Sequence, residues 1–283
     1  MRIDVLPPAV GVLLKGIVLG VLCTLACVTS ASPTVQKITY SVGVFPHLPP
    51  RDLDAVFSPI VADLSKISEN NMVLQSSTTY EKFVELLDNQ TFDIVFVQPF
   101  DYVRMADKFG YHPIATRNES LSAILVVQPD SPIKTTMDLK GKTISLPSKT
   151  AAVSYLTLAL LAEHKLKPGI DVKLTYHRSH VSCIQRVLIG LADACGSAAP
   201  AVRFIEKKMG VTLRTVGESV KVPHTLFAVH PRVPVEVRQK ITQRILDWAN
   251  SPAGQALLQR GQLLPFRATS DAEYNIVRTL LKN

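Results

Sequence analysis

Residues 92–103 read FDIVFVQPFDYV and carry the clearest structural signal in this sequence. Their centre, Ile94–Val97, is a continuous apolar run of the kind found in strands that are buried on both faces. A helical segment follows from about Asp101 to Phe109. A buried strand that leads directly into a helix is the repeating unit of parallel sheets covered by helices. This stretch therefore predicts an α/β fold.

The alternation of strands and helices continues upstream of this stretch. Residues 38–44 predict a strand, and apolar residues at helical spacing predict a helix over residues 52–67. A short strand at residues 72–75 and a helix at residues 80–87 complete the upstream part. Two more strands follow the helix that begins near Asp101, at residues 112–116 and 122–127. The pattern is that of an α/β protein along its whole first half.

The segment PDSP at residues 129–132 interrupts this alternation, and the cycle then restarts. Strands are predicted at residues 143–146, 172–176 and 193–196, each followed by a helix. The restart predicts two lobes, the second formed by residues 129–222. The strand at Thr225 is expected to rejoin the first lobe, which then consists of residues 32–128 and 223–283.

The chain would cross between the two lobes twice, near residues 127–130 and 222–226. Two crossings of this kind predict a two-strand hinge between Rossmann-like lobes. In α/β folds ligands bind at the carboxyl ends of the strands. We therefore expect the ligand in the cleft between the lobes.

The first 31 residues have the pattern of a secretory signal peptide. Arg2 and Lys15 precede the apolar run GIVLGVLCTLACV at residues 16–28, and small residues follow up to Ala31. The run is shorter than the roughly 20 apolar residues that a spanning helix needs. An exported, periplasmic protein is expected, with cleavage after Ala31. An N-terminal membrane anchor and a lipid anchor at Cys27 are the alternatives.

The distribution of charge argues against nucleic acid as the ligand. The chain has a formal net charge of +8, but its basic residues are scattered rather than grouped into a nucleic-acid-binding face.

Two cysteines, Cys183 and Cys195, remain after the signal peptide, and the sequence is consistent either with a disulfide between them or with two buried thiols. Neither metal-ligand spacing nor a cofactor motif is present, so we expect no metal and no cofactor.

A resemblance to a known family rests on four stretches in a fixed order. These stretches are STTY at 77–80 with FDIVF at 92–96, PFDYV at 99–103, LKGKTI at 139–144 with PSKT at 147–150, and SH at 179–180 with VLIGLADA at 187–194. In this order they resemble the periplasmic solute-binding proteins of the phosphonate, phosphite and phosphate type. The resemblance covers almost the whole mature chain. It implies the type II periplasmic binding protein fold and delivery of a ligand to an ABC permease or, in some relatives, to a sensor.

The resemblance also implies a set of ligand-binding residues. The tyrosines of the family match Tyr80 and Tyr102, and its histidine matches His180. A hydroxyl-rich turn of the family falls on Lys149, Thr150 and Ala151, beside Ser148. His224, next to the return crossing, is a further candidate. The full set of expected ligand-binding residues is Tyr80, Tyr102, Ser148, Lys149, Thr150, His180 and His224.

Physical chemistry favours an anion at these positions. Ser148 and Thr150 precede a predicted helix, and His180 opens the next one. Helix N-termini offer free N–H groups and a partial positive charge, which suit an oxyanion. Residues 196–200 and 223–225 lack the carboxylates that the family's phosphonate and phosphite binders use. An aminophosphonate is therefore disfavoured, and a different oxyanion is left open.

Three functions are consistent with these observations. The first is capture of a small oxyanion for an ABC importer by a monomeric binding protein. The second is a periplasmic sensor that partners a membrane histidine kinase, for example for an arsenic oxyanion. The third is an exported α/β hydrolase, although GxSxG, P-loop and GxGxxG motifs are all missing. A binding protein without catalytic residues is the preferred interpretation.

Overall fold

The structure of this protein is a computed structural model that describes residues 37–282. The predicted signal peptide at residues 1–31 and the alternative anchor at Cys27 lie outside the described residues. Among residues 37–282, no helix combines the length and the apolar character that crossing a membrane requires.

Strands and helices alternate along the described chain. The strands are β1 (Thr39–Val44), β2 (Asn71–Gln75), β3 (Ile94–Val97), β4 (His112–Arg117), β5 (Ser120–Leu121), β6 (Ile124–Val127), β7 (Thr143–Leu146), β8 (Lys173–Tyr176), β9 (Ala194–Ser197), β10 (Arg214–Glu218), β11 (Val222–Pro223), β12 (Leu226–Val229) and β13 (Phe266–Arg267). The helices are α1 (Pro50–Ser68), α2 (Tyr80–Asp88), α3 (Pro99–Phe109), α4 (Ala152–Glu163), α5 (His180–Leu188), α6 (Ala199–Met209), α7 (Val235–Asp247), α8 (Pro252–Arg260) and α9 (Asn275–Lys282). Single 3₁₀ turns lie at Thr136–Leu139, Trp248–Asn250 and Asp271–Tyr274. The α/β class predicted from the sequence is confirmed.

The first lobe is built on a six-stranded sheet with the order β13-β4-β12-β3-β1-β2. Strand β1 pairs in parallel with β2 and β3, whereas β12 runs antiparallel between β3 and β4. Strands β3 and β12 read IVFV and LFAV, and every residue of both is buried. Such continuous apolar strands are expected where helices cover both faces of a sheet.

The second lobe is built on a five-stranded sheet with the order β10-β6-β9-β7-β8. Strand β7 pairs in parallel with β8 and β9, and β6 runs antiparallel to β9 and β10. Two separate apolar clusters pack against its two faces, one around Leu146 and Leu161 and the other around Ile184 and Ile205. Each lobe is therefore a sheet covered by helices on both sides.

A two-stranded ribbon of β5 and β11 lies where the chain passes from one sheet to the other and back. Val222 pairs with Leu121, and Pro223 pairs with Ser120. These crossings form the two-strand hinge of a two-lobed fold, as the sequence predicted.

The position of the first crossing differs from the prediction. Strand β6 (Ile124–Val127) belongs to the second sheet, where Ile124 pairs with Ser197 and Glu218, so the predicted crossing after residue 127 was wrong by one strand. The apolar run of β6 shows only that the strand is buried. Its sheet is set by pairing with β9 and β10, which lie far along the chain.

The structure also settles the state of the two cysteines. Cys183 and Cys195 form a disulfide, with their Cα atoms 5.9 Å apart. Cys183 lies on the inner face of α5 and Cys195 lies in β9, and both are fully buried. Sequence alone left this pairing open because the distance between a helix and the strand after it depends on their packing.

Candidate ligand-binding site

A cavity of about 380 Å³ lies between the two lobes. Its lining includes residues that follow the carboxyl ends of strands in both lobes, and the polar ones among these are His47, Gln98, Ser148, Arg178, Ser179 and His180. Arg117 at the end of β4 and His224 beside β11 add two residues from the hinge side. The cavity is thus at the place where α/β folds bind their ligands.

Five helices begin at this cavity. Tyr80 opens α2, Ala152 opens α4 and His180 opens α5. Gln98 is the residue before α3, and Ala198 is the residue before α6. The N-terminus of each helix carries free N–H groups and a partial positive charge. Their convergence makes the cavity favourable for a small anion.

Four of the residues expected to bind ligand line the cavity. They are Tyr80, Ser148, His180 and His224. Thr150 does not line the cavity. Its partly buried hydroxyl lies 3.0 Å from the hydroxyl of Ser148, which does line it. The turn before α4 therefore presents Ser148 to the cavity and uses Thr150 to support it.

Tyr102 and Lys149 lie away from the cavity, contrary to expectation. The Tyr102 hydroxyl donates to Oδ1 of Asp271 at 2.6 Å, and its ring packs edge-on against Tyr274 in the core of the first lobe. Lys149 is exposed, with its Nζ 5.3 Å above the ring centre of Tyr176. The side chain of Tyr102 is directed into the core of the first lobe, and the long side chain of Lys149 lies over an aromatic ring.

Other polar residues that the sequence did not single out also line the cavity. Among them are His47, Gln98, Arg117 and Arg178. Gln98 and Arg117 stand at the carboxyl ends of β3 and β4, and His47 lies three residues after β1. The rule that ligands bind at the carboxyl ends of strands pointed to these positions. It could not say which of the side chains there face the cleft.

The three histidines of the cavity are neutral at neutral pH. Burial lowers the pKa of His180 to about 4. Burial and the nearby Arg117 lower the pKa of His224 to about 3. His47 is more exposed to solvent than the other two, and its pKa is also lowered, by desolvation and by Arg117, against the effect of the hydrogen bond to Phe45. The site therefore offers neutral rings rather than imidazolium charges.

Hydrogen bonds assign the proton on two of these rings. His224 Nδ1 accepts the backbone N–H of Thr225 at 2.7 Å, so the neutral ring carries its proton on Nε2. His47 Nδ1 lies 2.9 Å from the carbonyl of Phe45, which only accepts, so its proton is on Nδ1 and Nε2 is an acceptor. The cavity thus contains both a ring donor and a ring acceptor.

The fixed charges of the cavity are positive. Arg117 and Arg178 line it, and among the described residues none of its lining side chains is a carboxylate. Glu119 stands behind the lining, where it pairs with Arg117 and lies 3.6 Å from Nε2 of His224. Burial lowers the pKa of Arg117, and burial also raises the pKa of Glu119 against the effect of Arg117. These shifts reflect a charged pair that has lost much of its water.

The arrangement is suited to holding a small anion. It offers helix N-termini, hydroxyls, neutral rings and a guanidinium, which are the donors that an oxyanion accepts from. Within residues 37–282, no group of three or more His, Cys, Asp or Glu residues is placed to hold a metal ion.

Known proteins match this chain in sequence and in fold. The family model described as "ABC transporter, phosphonate, periplasmic substrate-binding protein" matches residues 42–274. A binding protein component of an ABC phosphonate transporter from Pseudomonas aeruginosa is similar, with a TM-score of 0.72, 15% identity, and coverage of 86% of this chain and 85% of that chain.

Two further solved structures share the fold. PhnD1 from Prochlorococcus marinus, in complex with methylphosphonate, has a TM-score of 0.75 at 16% identity and covers 86% of this chain and 97% of its own. The periplasmic aliphatic sulphonate binding protein SsuA from Escherichia coli has a TM-score of 0.58 at 16% identity, with coverage of 86% and 90%. At such low identity these likenesses show the fold. The family match, which spans most of the chain, shows that this protein belongs to the periplasmic substrate-binding proteins of phosphonate ABC transporters.

Proposed function

We propose that this protein captures a small phosphonate-type oxyanion in the periplasm and delivers it to an ABC permease. One observation carries the proposal: five helices begin at a cavity between the lobes whose fixed charges are the arginines Arg117 and Arg178. Helix N-termini and guanidinium groups together stabilise an anion that is removed from water. Family membership supports the role in transport.

The ligand that we propose is a phosphonate with a short apolar substituent. Apolar side chains such as Phe45, Phe96 and Leu263 line part of the cavity and suit an alkyl group. Since the lining contains no carboxylate among the described residues, an ammonium group on the ligand would find no partner of opposite charge. An aminophosphonate should therefore bind more weakly than methylphosphonate, the compound held by the Prochlorococcus relative.

Individual residues are assigned as follows in this proposal. Tyr80, Ser148 and the Nε2 side of His180 donate to the oxyanion, and His224 assists near the hinge. Thr150 acts through Ser148, and Arg117 supplies the neighbouring positive charge. Lys149 and Tyr102 have no part in this assignment.

The organisation of the chain follows from the same proposal. Residues 37–119 and 224–282 would form the first lobe and residues 122–221 the second, with the β5–β11 ribbon as the hinge. The protein would be exported by the signal peptide at residues 1–31, act as a monomer and catalyse no reaction on its ligand. A single copy suffices for binding, because residues of one chain line the cavity from both lobes.

A thermal-shift experiment tests this function. The mature protein, residues 32–283, is heated with methylphosphonate, phosphate, phosphite, sulfate, arsenite, arsenate or 2-aminoethylphosphonate. A ligand at a hundred times its dissociation constant adds about 2.7 kcal/mol of stability. A shift with methylphosphonate, and a smaller one with the amino compound, is expected. A shift with an arsenic oxyanion alone would instead favour the sensor that partners a histidine kinase.

Two further measurements separate transport from the alternatives. Deletion of the gene should abolish uptake of the bound phosphonate, and restoring the gene should recover it. Phosphorus NMR of the protein with methylphosphonate over a day should show the ligand unchanged. A phosphate signal in that sample would mean that the C–P bond had been hydrolysed to phosphate and methane, and it would contradict the binding-protein proposal in favour of a hydrolase.

A further inference from the structure

Gln98 connects the two lobes directly beside the cavity. Gln98 lies between β3 and α3 of the first lobe, and it is almost fully buried. Oε1 of Gln98 accepts the backbone N–H of Ala152 at 2.8 Å, and Nε2 lies 3.3 Å from the carbonyl oxygen of Thr150. Both partners belong to the turn that opens α4 in the second lobe. A single amide thus makes a donor and an acceptor contact across the cleft.

This contact takes the place of an ordinary helix cap. The residue before α4 is Ala151, which has no side-chain oxygen and makes no capping hydrogen bond. Helices are usually capped at this position by Ser, Thr, Asp or Asn of their own chain segment. Here the first N–H of α4 is satisfied by a side chain from the other lobe. If the lobes separate, that N–H loses its partner.

Asp101 orients the Gln98 amide. Oδ2 of Asp101 accepts a hydrogen bond from Nε2 of Gln98 at 3.3 Å, and Arg104 pairs with Oδ1 at 3.2 Å. A flipped amide would place oxygen against the carboxylate and the Thr150 carbonyl, and NH₂ against the Ala152 N–H. One orientation therefore satisfies all the groups around Gln98, and it is the one that caps α4.

Apolar contacts reinforce the same junction. The ring of Phe100 stacks on that of Tyr155, with centroids 4.7 Å apart and planes 17° apart. Ala152, Val153 and Leu156 of α4 are buried in the apolar core of the first lobe. The first turn of α4, which follows Ser148, is thus held against the first lobe at the point where the ligand would bind.

We propose that Gln98 is a positioning residue of the binding site, which caps α4 from the opposite lobe and so stabilises the arrangement in which both lobes surround the ligand. The ligand part of this inference rests on the function proposed above. Because the contact exists only while the lobes are together, it favours the closed state over the open one. Losing it lowers ligand affinity through the smaller population of the closed state, although Gln98 is not required to touch the ligand.

Three variants test this role. Gln98→Ala removes both contacts, and Gln98→Glu keeps an acceptor for Ala152 but sets two carboxylates against each other. The double variant Gln98→Glu with Asp101→Asn exchanges donor and acceptor between the two positions. Its new amide at position 101 donates to the new carboxylate at position 98, which still accepts the N–H of Ala152. Gln128→Ala is the matched control, because Gln128 donates to the carbonyl of Val187 within the second lobe.

The lobe arrangement is measured by small-angle X-ray scattering of the whole mature protein with and without methylphosphonate, and affinity by calorimetry. Gln98→Ala should increase the radius of gyration of the ligand-free protein and weaken methylphosphonate binding by about tenfold, the effect of one buried hydrogen bond. Gln98→Glu should bind methylphosphonate at least as weakly as Gln98→Ala does. The double variant should recover part of the lost affinity. Gln128→Ala should leave both quantities unchanged. Circular dichroism checks that each variant is folded.

The outcomes separate this inference from the proposed function. If the wild type binds methylphosphonate and all variants match it in size and affinity, Gln98 has no positioning role. If the double variant is as weak as Gln98→Glu alone, Asp101 does not orient the side chain at position 98. If the wild type binds no oxyanion, the proposed function fails. The scattering difference between wild type and Gln98→Ala then still decides the role of Gln98.

Discussion

His180 Nδ1 lies 2.8 Å from the hydroxyl oxygen of Ser197, and this contact joins the first residue of α5 to the last residue of β9. The disulfide between Cys183 and Cys195 joins the same helix to the same strand one helical turn further on. Since Ser197 is fully buried, the imidazole ring has a fixed neighbour on its Nδ1 side. The other ring nitrogen, Nε2, is left as the one available to a ligand in the cavity.

Replacing His180 with alanine should weaken ligand binding. A buried hydrogen bond to a neutral ring contributes about 1–3 kcal/mol when its loss leaves a partner unsatisfied. Calorimetry with methylphosphonate measures the change. His112→Ala is the control, because His112 is exposed and does not line the cavity. Equal affinities for His180→Ala and the wild type, with the fold intact, would remove His180 from the site.

Replacing Arg117 with glutamine should weaken binding more than the same change at Arg178. Arg117 is largely buried at the cavity and paired with Glu119, whereas Arg178 is exposed to water. A charged hydrogen bond removed from solvent is worth about 1.5–3 kcal/mol, and an exposed charge contributes less. Titration at two salt concentrations measures both effects. A larger loss for Arg178→Gln would show that the anion binds at the mouth of the cavity.

Removing the disulfide should lower the free energy of unfolding. The bond closes a short loop, since its cysteines are separated by 12 positions, and a cross-link of this size stabilises a protein by about 2–4 kcal/mol. Urea denaturation of the double variant Cys183→Ala with Cys195→Ala measures the loss. The wild type in strong reductant is the comparison. A variant as stable as the wild type would indicate that the apolar cluster around β9 holds this region without the bond.

Replacing Asp101 with asparagine should change how stability depends on pH. Burial raises the pKa of Asp101 from 3.8 to about 6, against the opposing effects of Arg104 and Gln98; Asp88 adds to the rise. The folded state therefore holds this proton more tightly than the unfolded state, and the carboxyl group makes the fold less stable as pH rises from about 4 to about 6.

Asparagine does not titrate in this pH range. The free energy of unfolding of Asp101→Asn should therefore increase relative to that of the wild type as pH rises from about 4 to about 6. The relative gain is up to about 3 kcal/mol for a shift of this size. Thermal unfolding at pH 4, 5, 6 and 7 follows it. A constant difference between the two proteins across these pH values would mean that the carboxyl group titrates normally.

Replacing Tyr102 with phenylalanine should leave ligand affinity unchanged. The Tyr102 hydroxyl donates to Asp271, and neither residue lines the cavity. Loss of this hydrogen bond should cost about 1 kcal/mol of stability. Calorimetry and urea denaturation together measure the two effects. Weaker binding with unchanged stability would restore Tyr102 as a ligand residue.

Much of the architecture followed from local patterns in the chain. Apolar runs such as those of β3 and β12 marked strands buried on both faces, and the interruption at residues 129–132 marked a second cycle of strands and helices. These features depend on residues close together in sequence, which is why they can be recognised without a structure. Ser148 and His180 were expected in the site because of the resemblance to the family, and their places at or just before the start of a helix supported that expectation.

Only the tertiary structure shows to which lobe a strand belongs and which side chains contact each other. Strand β6 joined the second sheet through partners in β9 and β10, far along the chain, and Tyr102 turned toward Asp271, which is 169 positions distant. Gln98 and Arg117 stand at strand ends, but only the packing of the lobes turns them to the cavity. By itself the sequence determined the order and burial of the elements, since these depend on local periodicity. The identity of the site depended on contacts between distant segments, whose geometry no local pattern encodes.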